Sequence, residues 1–282
     1  MAPLLSIVMP ADIECGGQSK TNYGFLEHPK VILIVKHGVP AYLHQGKGNI
    51  SENTEPHQQL SLARRSVEKM AAMRMPDSSD ARALNQNFDY FLVLDFEATC
   101  DNEKPPKPQE IIEFPVLKVN ARTYAVDSIF HQYVRPLHNP HLTPFCTELT
   151  GIVQEMVDNQ ECFSEVMKNF NQWMESEGLL NPETRSIFVT CGDWDLKSML
   201  PRQCETSNLP TKSYFKKWIN IKKSYADITR TFPKGMMHML TGLNLQHIGR
   251  HHSGIDDCRN IANIVVELMR QGYVFRENGR LQ

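Results

Sequence analysis

Two acidic residues stand two positions apart at the end of an apolar run about a third of the way along the chain. Residues 90–97 read YFLVLDFE, in which Asp95 and Glu97 follow a stretch typical of a buried strand. Side chains at i and i+2 of a strand share a face, so both carboxylates are expected on one side and Phe96 in the core. Partly buried carboxylates that repel each other are most simply compensated by a bound divalent metal. The spacing therefore predicts a metal site.

A third acid, Asp195, comes shortly after the apolar segment 187–191, which predicts a short strand followed by a helix. Sites in open sheets gather at strand ends, so Asp195 could join Asp95 and Glu97. Aspartate is also favoured as the N-cap residue of a helix. Taken alone, Asp195 is best interpreted as such a cap.

The last predicted helix, 256–272, begins with two adjacent aspartates, Asp256 and Asp257. The positions of the apolar residues along the helix, its apolar stripe, show which of the two faces the protein. From Asp257 the positions i+4, i+7, i+8 and i+11 are apolar, so Asp257 faces the protein. From Asp256 the offsets i+4, i+7 and i+11 reach polar residues, predicting a solvated face and a surface or capping role. Those polar residues are Asn260, Asn263 and Glu267. Either of the preceding histidines, His251 or His252, could reach a site from its loop.

The surrounding elements predict an α/β fold with a mixed sheet flanked by helices. Segments 90–97, 111–119 and 128–134 read as three consecutive strands and predict an antiparallel meander. Apolar residues spaced 3, 4 and 3 apart over 163–173 predict a helix with one buried face. The strand 187–191 and the final helix complete the pattern.

The first 87 residues differ in composition and in hydrophobic periodicity from the rest of the chain. Segment 31–35 suggests one strand, 51–59 has the composition of a solvated linker, and 60–75 predicts one helix that ends before a proline. We therefore expect residues 1–87 to form a poorly ordered amino-terminal extension, and residues 88–282 to form the main domain.

Composition narrows the class of protein. The 282 residues are 41% apolar and 22% charged, with a formal net charge of -2, so any nucleic-acid site must come from local clustering. Seven scattered cysteines without a CxxC pair argue against a disulfide framework or compact zinc site and predict reduced thiols. The chain shows no recognisable signal peptide or membrane-spanning stretch, and we expect it in the cytoplasm or nucleus.

Taken together, these motifs resemble the DEDDh exonucleases. The resemblance includes the spacing of His252 five residues before Asp257. Four further strings resemble the branch that contains the 3′ histone-mRNA exonuclease of the enhanced-RNAi class and a prion-protein-interacting member. They are DFEATC at 95–100, EIIEFP at 110–115, LTGI at 149–152 and KWINI at 217–221. The resemblance covers residues 88–282. Family spacing also permits His251 with Asp256, but Ala262 and the apolar stripe favour His252 with Asp257.

The resemblance implies a ribonuclease-H-like fold and removal of nucleotides from single-stranded RNA 3′ ends as nucleoside 5′-monophosphates. It implies two Mg²⁺ ions, replaceable by Mn²⁺, and a metal-ligand set of Asp95, Glu97, Asp195 and Asp257. Glu97 and His252 would be catalytic, with His252 as general base. Glu97, Ala98 and His252 would contact the nucleotide. Prion protein is an implied protein partner.

A basic stretch adds a local signal for nucleic acid. Residues 212–234 contain seven basic residues against one acid, Asp227, with aromatic rings interleaved among them. These rings include Tyr214, Phe215, Trp218 and Tyr225. Lysines could neutralise phosphates while rings stack on bases; equally, the rings could be core and the lysines could solvate a strand edge. Two alternatives to the exoribonuclease stay open, a protein-interaction scaffold with the nuclease fold and a DNA exonuclease.

Overall fold

Residues 85–281 are described by the computed structural model, and within them seven strands form one mixed sheet. The strands are β1 (Tyr90–Leu94), β2 (Glu97–Ala98), β3 (Ile111–Asn120), β4 (Val126–Tyr133), β5 (Ser186–Thr190), β6 (Lys217–Asn220) and β7 (Gly279–Arg280). The α-helices are α1 (Pro144–Thr150), α2 (Gln154–Asp158), α3 (Phe163–Ser176), α4 (Leu200–Thr206), α5 (Ile221–Thr229), α6 (Met236–Gly242) and α7 (Gly254–Arg270). The predicted strand 31–35, linker 51–59 and helix 60–75 lie outside the described residues.

The sheet has the order β2-β3-β1-β5-β6-β7, and β4 pairs with β3. Strands β1, β3 and β4 are antiparallel neighbours, which confirms the predicted meander. Strand β5 runs parallel to both β1 and β6, so the sheet is mixed, as predicted. The carboxyl ends of β1, β5 and β6 consequently meet at one edge of the sheet.

The first strand is shorter than predicted. β1 ends at Leu94, Asp95 and Phe96 lie between strands, and β2 begins at Glu97. Phe96 leaves the ladder because its backbone N–H donates to Asp195 Oδ1 at 3.0 Å. Its ring is buried, as expected, and packs edge-on against Phe114 with ring centroids 4.8 Å apart.

Both faces of the central strand are covered, which explains its uninterrupted apolar sequence. Phe91 and Val93 join a core cluster that includes the inner face of α7. Leu92 and Leu94 join a second cluster on the other face, which includes Phe170 of α3. The alternation follows the two-residue period of a strand and holds β1 rigidly beneath the site.

Helix α7 carries the predicted stripe and departs from the prediction at two points. The residues at i+4, i+7, i+8 and i+11 from Asp257 are all buried. The helix begins at Gly254 rather than Asp256, and Gly272 follows its end with a left-handed φ of 87°. The prediction of a solvated Asn260 is wrong. Asn260 is fully buried, because its side chain bonds to both the N–H and the carbonyl of Ile248.

None of the helices within residues 85–281 has the length and apolar character that a membrane span requires. The six cysteines in this part of the chain are free thiols, and the seventh, Cys15, lies outside the described residues.

Candidate active site

Three carboxylates from separate segments meet at the sheet edge. Asp95 follows β1, Glu97 begins β2 and Asp257 lies in the first turn of α7. Each offers a carboxylate oxygen, and these oxygens all lie within 4.8 Å of one another. Sequence patterns placed Asp95 and Glu97 together, and the structure adds Asp257, which lies 160 positions after Glu97 in the chain.

The cluster is electrostatically strained. Burial raises the pKa of Asp95 well above its usual range, and the charges of neighbouring acids raise it further. Burial, followed by the charge of Glu113, raises the pKa of Glu97 to about 9. Burial also raises the pKa of Asp257, although a hydrogen bond from the His252 N–H opposes this. The ionised forms therefore need a positive charge that these side chains do not supply to one another.

A divalent cation fits this donor set. The Asp257 Oδ1 atom is buried and has no hydrogen-bond partner among residues 85–281. A buried oxygen without a partner is costly, and coordination to a cation would satisfy it. All three donors are hard carboxylate oxygens, which suit Mg²⁺ or Mn²⁺ better than zinc.

Asp195 lies beside this cluster and does not act as a helix cap, so that interpretation is wrong. Helical geometry already begins at Trp194, and Lys197 N donates to Asp193 O. The Asp195 carboxylate instead accepts the N–H of Phe96. Burial raises the pKa of Asp195 to about 6 against the effect of this hydrogen bond. Asp195 also opens a short π-helical turn, Asp195–Met199, a feature frequent at functional sites.

Two histidines approach Asp257. Ring nitrogens of His251 and His252 and a carboxylate oxygen of Asp257 lie within 4.8 Å of one another. His252 has a left-handed φ of 66°, and its N–H donates to Asp257 Oδ2 at 3.0 Å. Its ring stacks on His251 with centroids 3.9 Å apart. Burial, and then the charges of His251 and Arg250, lower the pKa of His252, which favours a neutral imidazole able to accept a proton.

Ala98 immediately precedes a residue that lines a cavity. It is buried in β2, directly after Glu97. A cavity of about 520 Å³ starts at the next residue, Thr99, and is lined in part by Lys104, Lys107 and His141. This volume is in the range of small-ligand pockets, and its walls carry cationic and polar groups.

The basic stretch separates into core rings and surface lysines. Phe215, Trp218 and Tyr225 are buried and Tyr214 is partly buried, so of the two alternatives left open the structure supports the core role for these rings. Two of the lysines form ion pairs, Lys217 with Glu277 and Lys223 with Asp193. Lys222, at the start of α5, forms no ion pair with any residue of 85–281.

Sequence reasoning overlooked two residues beside the predicted ones. Trp194, next to Asp195, is 42% exposed, unusual for so large an apolar ring. Glu113, in β3, is buried and paired in register with Glu97. Trp194 gives no sequence signal of exposure, whereas the acid Glu113 inside the apolar string 111–117 could have been noticed as a buried charge.

Comparison with known proteins identifies the family. A family model described as RNase_T, Exonuclease, matches residues 92–265, more than half of the chain. The chain belongs to the exonuclease family. The nuclease domain of 3′hExo, a DEDDh family member solved with bound rAMP, is 38% identical. It aligns with a TM-score of 0.67 over 70% of this chain and all of that one. The predicted ribonuclease-H-like fold and DEDDh membership are confirmed.

Relatives among curated proteins belong to the predicted enhanced-RNAi branch. Human ERI1 exoribonuclease 3 is 58% identical over 197 residues, covering 69% of this chain and 58% of the relative. Human 3′-5′ exoribonuclease 1 is 40% identical over 198 residues, covering 69% and 56%. The chain thus spans somewhat more than half the length of the relatives that it matches.

Proposed function

We propose that this chain is a metal-dependent 3′-to-5′ exoribonuclease that releases nucleoside 5′-monophosphates from single-stranded RNA ends. The observation that carries the proposal is the convergence of Asp95, Glu97 and Asp257, with Asp195 alongside and a buried carboxylate oxygen left unsatisfied. Acids held together against their mutual repulsion have no use in a protein-interaction scaffold. Relatives named exoribonucleases support RNA over DNA.

We propose two Mg²⁺ ions, replaceable by Mn²⁺, as the cofactors. Asp95, Glu97 and Asp257 would hold one ion, and Asp95 would be shared with a second. Asp195 would act on the second ion directly or through water. When bound, such ions supply a nucleophilic water and stabilise negative charge on the leaving oxygen.

The remaining roles fall to residues around the cluster. His252 would accept the proton of the attacking water at a ring nitrogen, a task that its lowered pKa and its place beside Asp257 suit. Glu97 would contact the terminal nucleotide, and the small side chain of Ala98 would let that nucleotide approach the β2 backbone. The exposed ring of Trp194 would offer a stacking surface for a base.

Lys222 is the proposed contact for the phosphate backbone upstream of the scissile bond. Because Val93, Val189 and Ile219 stand in register across three parallel strands, the segments after β1, β5 and β6 emerge side by side. With strands about 4.8 Å apart, the residues after β6 lie roughly 10 Å from Asp95. Within residues 85–281, Lys222 Nζ donates only to the carbonyl of Lys234, at 3.3 Å, so its charge stays available to a phosphate.

The test compares RNA and DNA of matched sequence. Full-length protein is incubated with single-stranded RNA or DNA labelled at the 5′ end, with Mg²⁺ or with EDTA, and with circular RNA as a substrate without ends. The proposal predicts stepwise shortening of linear RNA, nucleoside 5′-monophosphate as product, and no reaction with EDTA or circular RNA. Faster degradation of DNA would favour the DNA exonuclease. Intact RNA and DNA at every metal concentration would contradict enzymatic function.

We further propose an intracellular site of action and a protein partner, for which prion protein is the candidate given by family resemblance. The six free cysteines of the described residues fit a reducing compartment. Titration of purified prion protein against the full chain should give saturable binding, and a flat titration would contradict the partnership.

A further inference from the structure

Glu113 is a buried acid with three well-formed contacts at the centre of the site's scaffold. Its side chain is 1% exposed. Oε2 accepts the N–H of Gly254 at 2.9 Å, and Oε1 accepts the N–H of Ile255 at 3.2 Å. Oε1 also lies 2.7 Å from Nε2 of His131 on β4. Glu113 therefore links three elements, β3, β4 and the start of α7.

The amides that Glu113 accepts are those a helix cannot satisfy by itself. Gly254 and Ile255 open α7, and the first amides of a helix lack intrahelical acceptors. Ser253 occupies the N-cap position, yet its side chain makes no capping bond in the described chain. Glu113 thus caps α7 from a neighbouring strand, where a carboxylate also suits the helix dipole.

The contact sets how closely α7 approaches the metal-site strands. A Cβ added to Gly254 would lie 2.8 Å from the carbonyl oxygen of Asp95 and 3.0 Å from Glu113 Oε2. The helix start is therefore pressed against the backbone that bears Asp95. Asp257 lies three residues further along α7, and Glu97 pairs in register with Glu113. A shift of the helix start would alter the separation of all three cluster carboxylates.

We propose that Glu113 is a positioning residue, anchored by His131, that holds the first turn of α7 so that Asp257 and the His252 loop keep their places beside Asp95 and Glu97. The proposal rests on the proposed exonuclease function. Both carboxylate oxygens accept hydrogen bonds from the scaffold, and Glu113 is not among the residues whose oxygens form the carboxylate cluster. Glutamine could not replace it, since its amide nitrogen would face an N–H donor in place of an acceptor.

Glu177 provides a matched control. It contacts Lys118 of the same strand and Ser128 of β4, and it is also partly buried, yet it lies away from the carboxylate cluster. Hydrogen exchange of metal-free E113Q should be at least about tenfold faster than wild type over residues 252–257, while E177Q exchanges there at the wild-type rate. With saturating metal, kcat of E113Q on RNA should fall about 10- to 100-fold, with KM for RNA within about twofold.

Two results would overturn the proposal. Unchanged exchange over 252–257 in E113Q would show that the contact does not hold the helix, whatever the activity. A lowered melting temperature with kcat retained, as expected for E177Q, would make Glu113 a stabilising residue only. If E113Q does not fold, H131F removes the anchor alone, because phenylalanine has no group that can bond Glu113 Oε1. Faster exchange over 252–257 with a several-fold lower kcat is then expected, and unchanged values would equally overturn the proposal. An inactive wild type would contradict the exonuclease function, while the exchange arm still decides the role of Glu113.

Discussion

The two ends of strand β3 handle buried charge in opposite ways. Near one end Lys118, whose side chain is 8% exposed, lies 3.0 Å from Glu177, and Ser128 Oγ donates to the same carboxylate at 2.8 Å. Burial raises the pKa of Glu177, but the hydrogen bonds from Lys118 and Ser128 outweigh it and leave that pKa below its usual value. Each charge at this end has a partner.

At the other end acids gather, and no lysine or arginine within residues 85–281 forms an ion pair with them. Asp95, Glu97 and Asp257 lie within one cluster, and burial raises the pKa of each. The charges of neighbouring acids raise the pKa of Asp95 and of Glu97 further. Such a cluster lowers the stability of the metal-free fold, whereas the Glu177 end increases it. The end of β3 where each charge has a partner thus stabilises the fold, and the end where acids repel one another is suited to binding a cation.

The largest expected effect separates activity from stability at the acid end. D95N removes a metal ligand. It also removes a carboxyl group whose pKa is raised in the folded state, and such a group lowers the stability of the fold once the pH exceeds its pKa in the unfolded chain. RNA degradation should fall by on the order of 10³-fold or more, while the metal-free melting temperature at pH 7 rises. Rate assays and calorimetry in EDTA measure both quantities. A destabilised D95N that keeps its rate would reverse the assignment of this end.

Next in size is the effect of the histidines. His252→Ala should lower kcat by about 10²- to 10⁴-fold, as for loss of a general base, with the metal concentration for half-maximal rate nearly unchanged. His251→Ala, its stacked neighbour, is the control and should cost less than about tenfold. A larger loss from His251→Ala would assign the proton transfer to that ring instead.

Lys222→Gln tests the proposed phosphate contact with a smaller effect. Removal of one phosphate-binding charge should raise KM for a long RNA several-fold, leave kcat unchanged and barely affect an RNA of a few nucleotides. Lys217→Gln is the control, because Lys217 lies at the opposite end of β6 and pairs with Glu277. Equal effects of both changes, or an effect independent of RNA length, would contradict a specific contact.

The smallest expected effect lies at the compensated end and depends on pH. Because the folded-state pKa of Glu177 is lowered, its contribution is present above the unfolded pKa and is lost as pH falls through the folded value. E177Q should therefore be destabilised by about 1 kcal/mol at pH 7, with the difference shrinking below about pH 4.5. Urea unfolding of both proteins from pH 7 to pH 3 measures this. A difference that grows on acidification would contradict the assignment.

The sequence was sufficient for features with a regular period or a local spacing. The stripe of α7 separated Asp257 from Asp256, and the apolar runs located β1, β3, β4 and β5. Asp195 alone could not be placed, because its contact with Phe96 joins residues 99 positions apart. A capping interpretation, which depends only on local spacing, therefore appeared the better one.

Tertiary contacts also decided the residues that sequence reasoning misjudged. Asn260 lies on the polar side of its helix by spacing, yet it is buried because it anchors the Ile248 backbone. Tyr214, Phe215 and Trp218 resembled a stacking platform but pack in the core on one face of the sheet. Tyr225 packs in the core on the other face. Glu113 looked like one acid in a strand, and its function as a cap depends on a helix 141 residues away.

The most direct test of the account is the position of Mn²⁺ in crystals of the full chain soaked with the ion and a nucleoside 5′-monophosphate. Two groups of residues could hold a metal among residues 85–281, one of Asp95, Glu97 and Asp257 and one of His251, His252 and Asp257. The proposed metal site predicts anomalous density bounded by Asp95, Glu97 and Asp257. Density only between the two histidines, or none near Asp95, would contradict it.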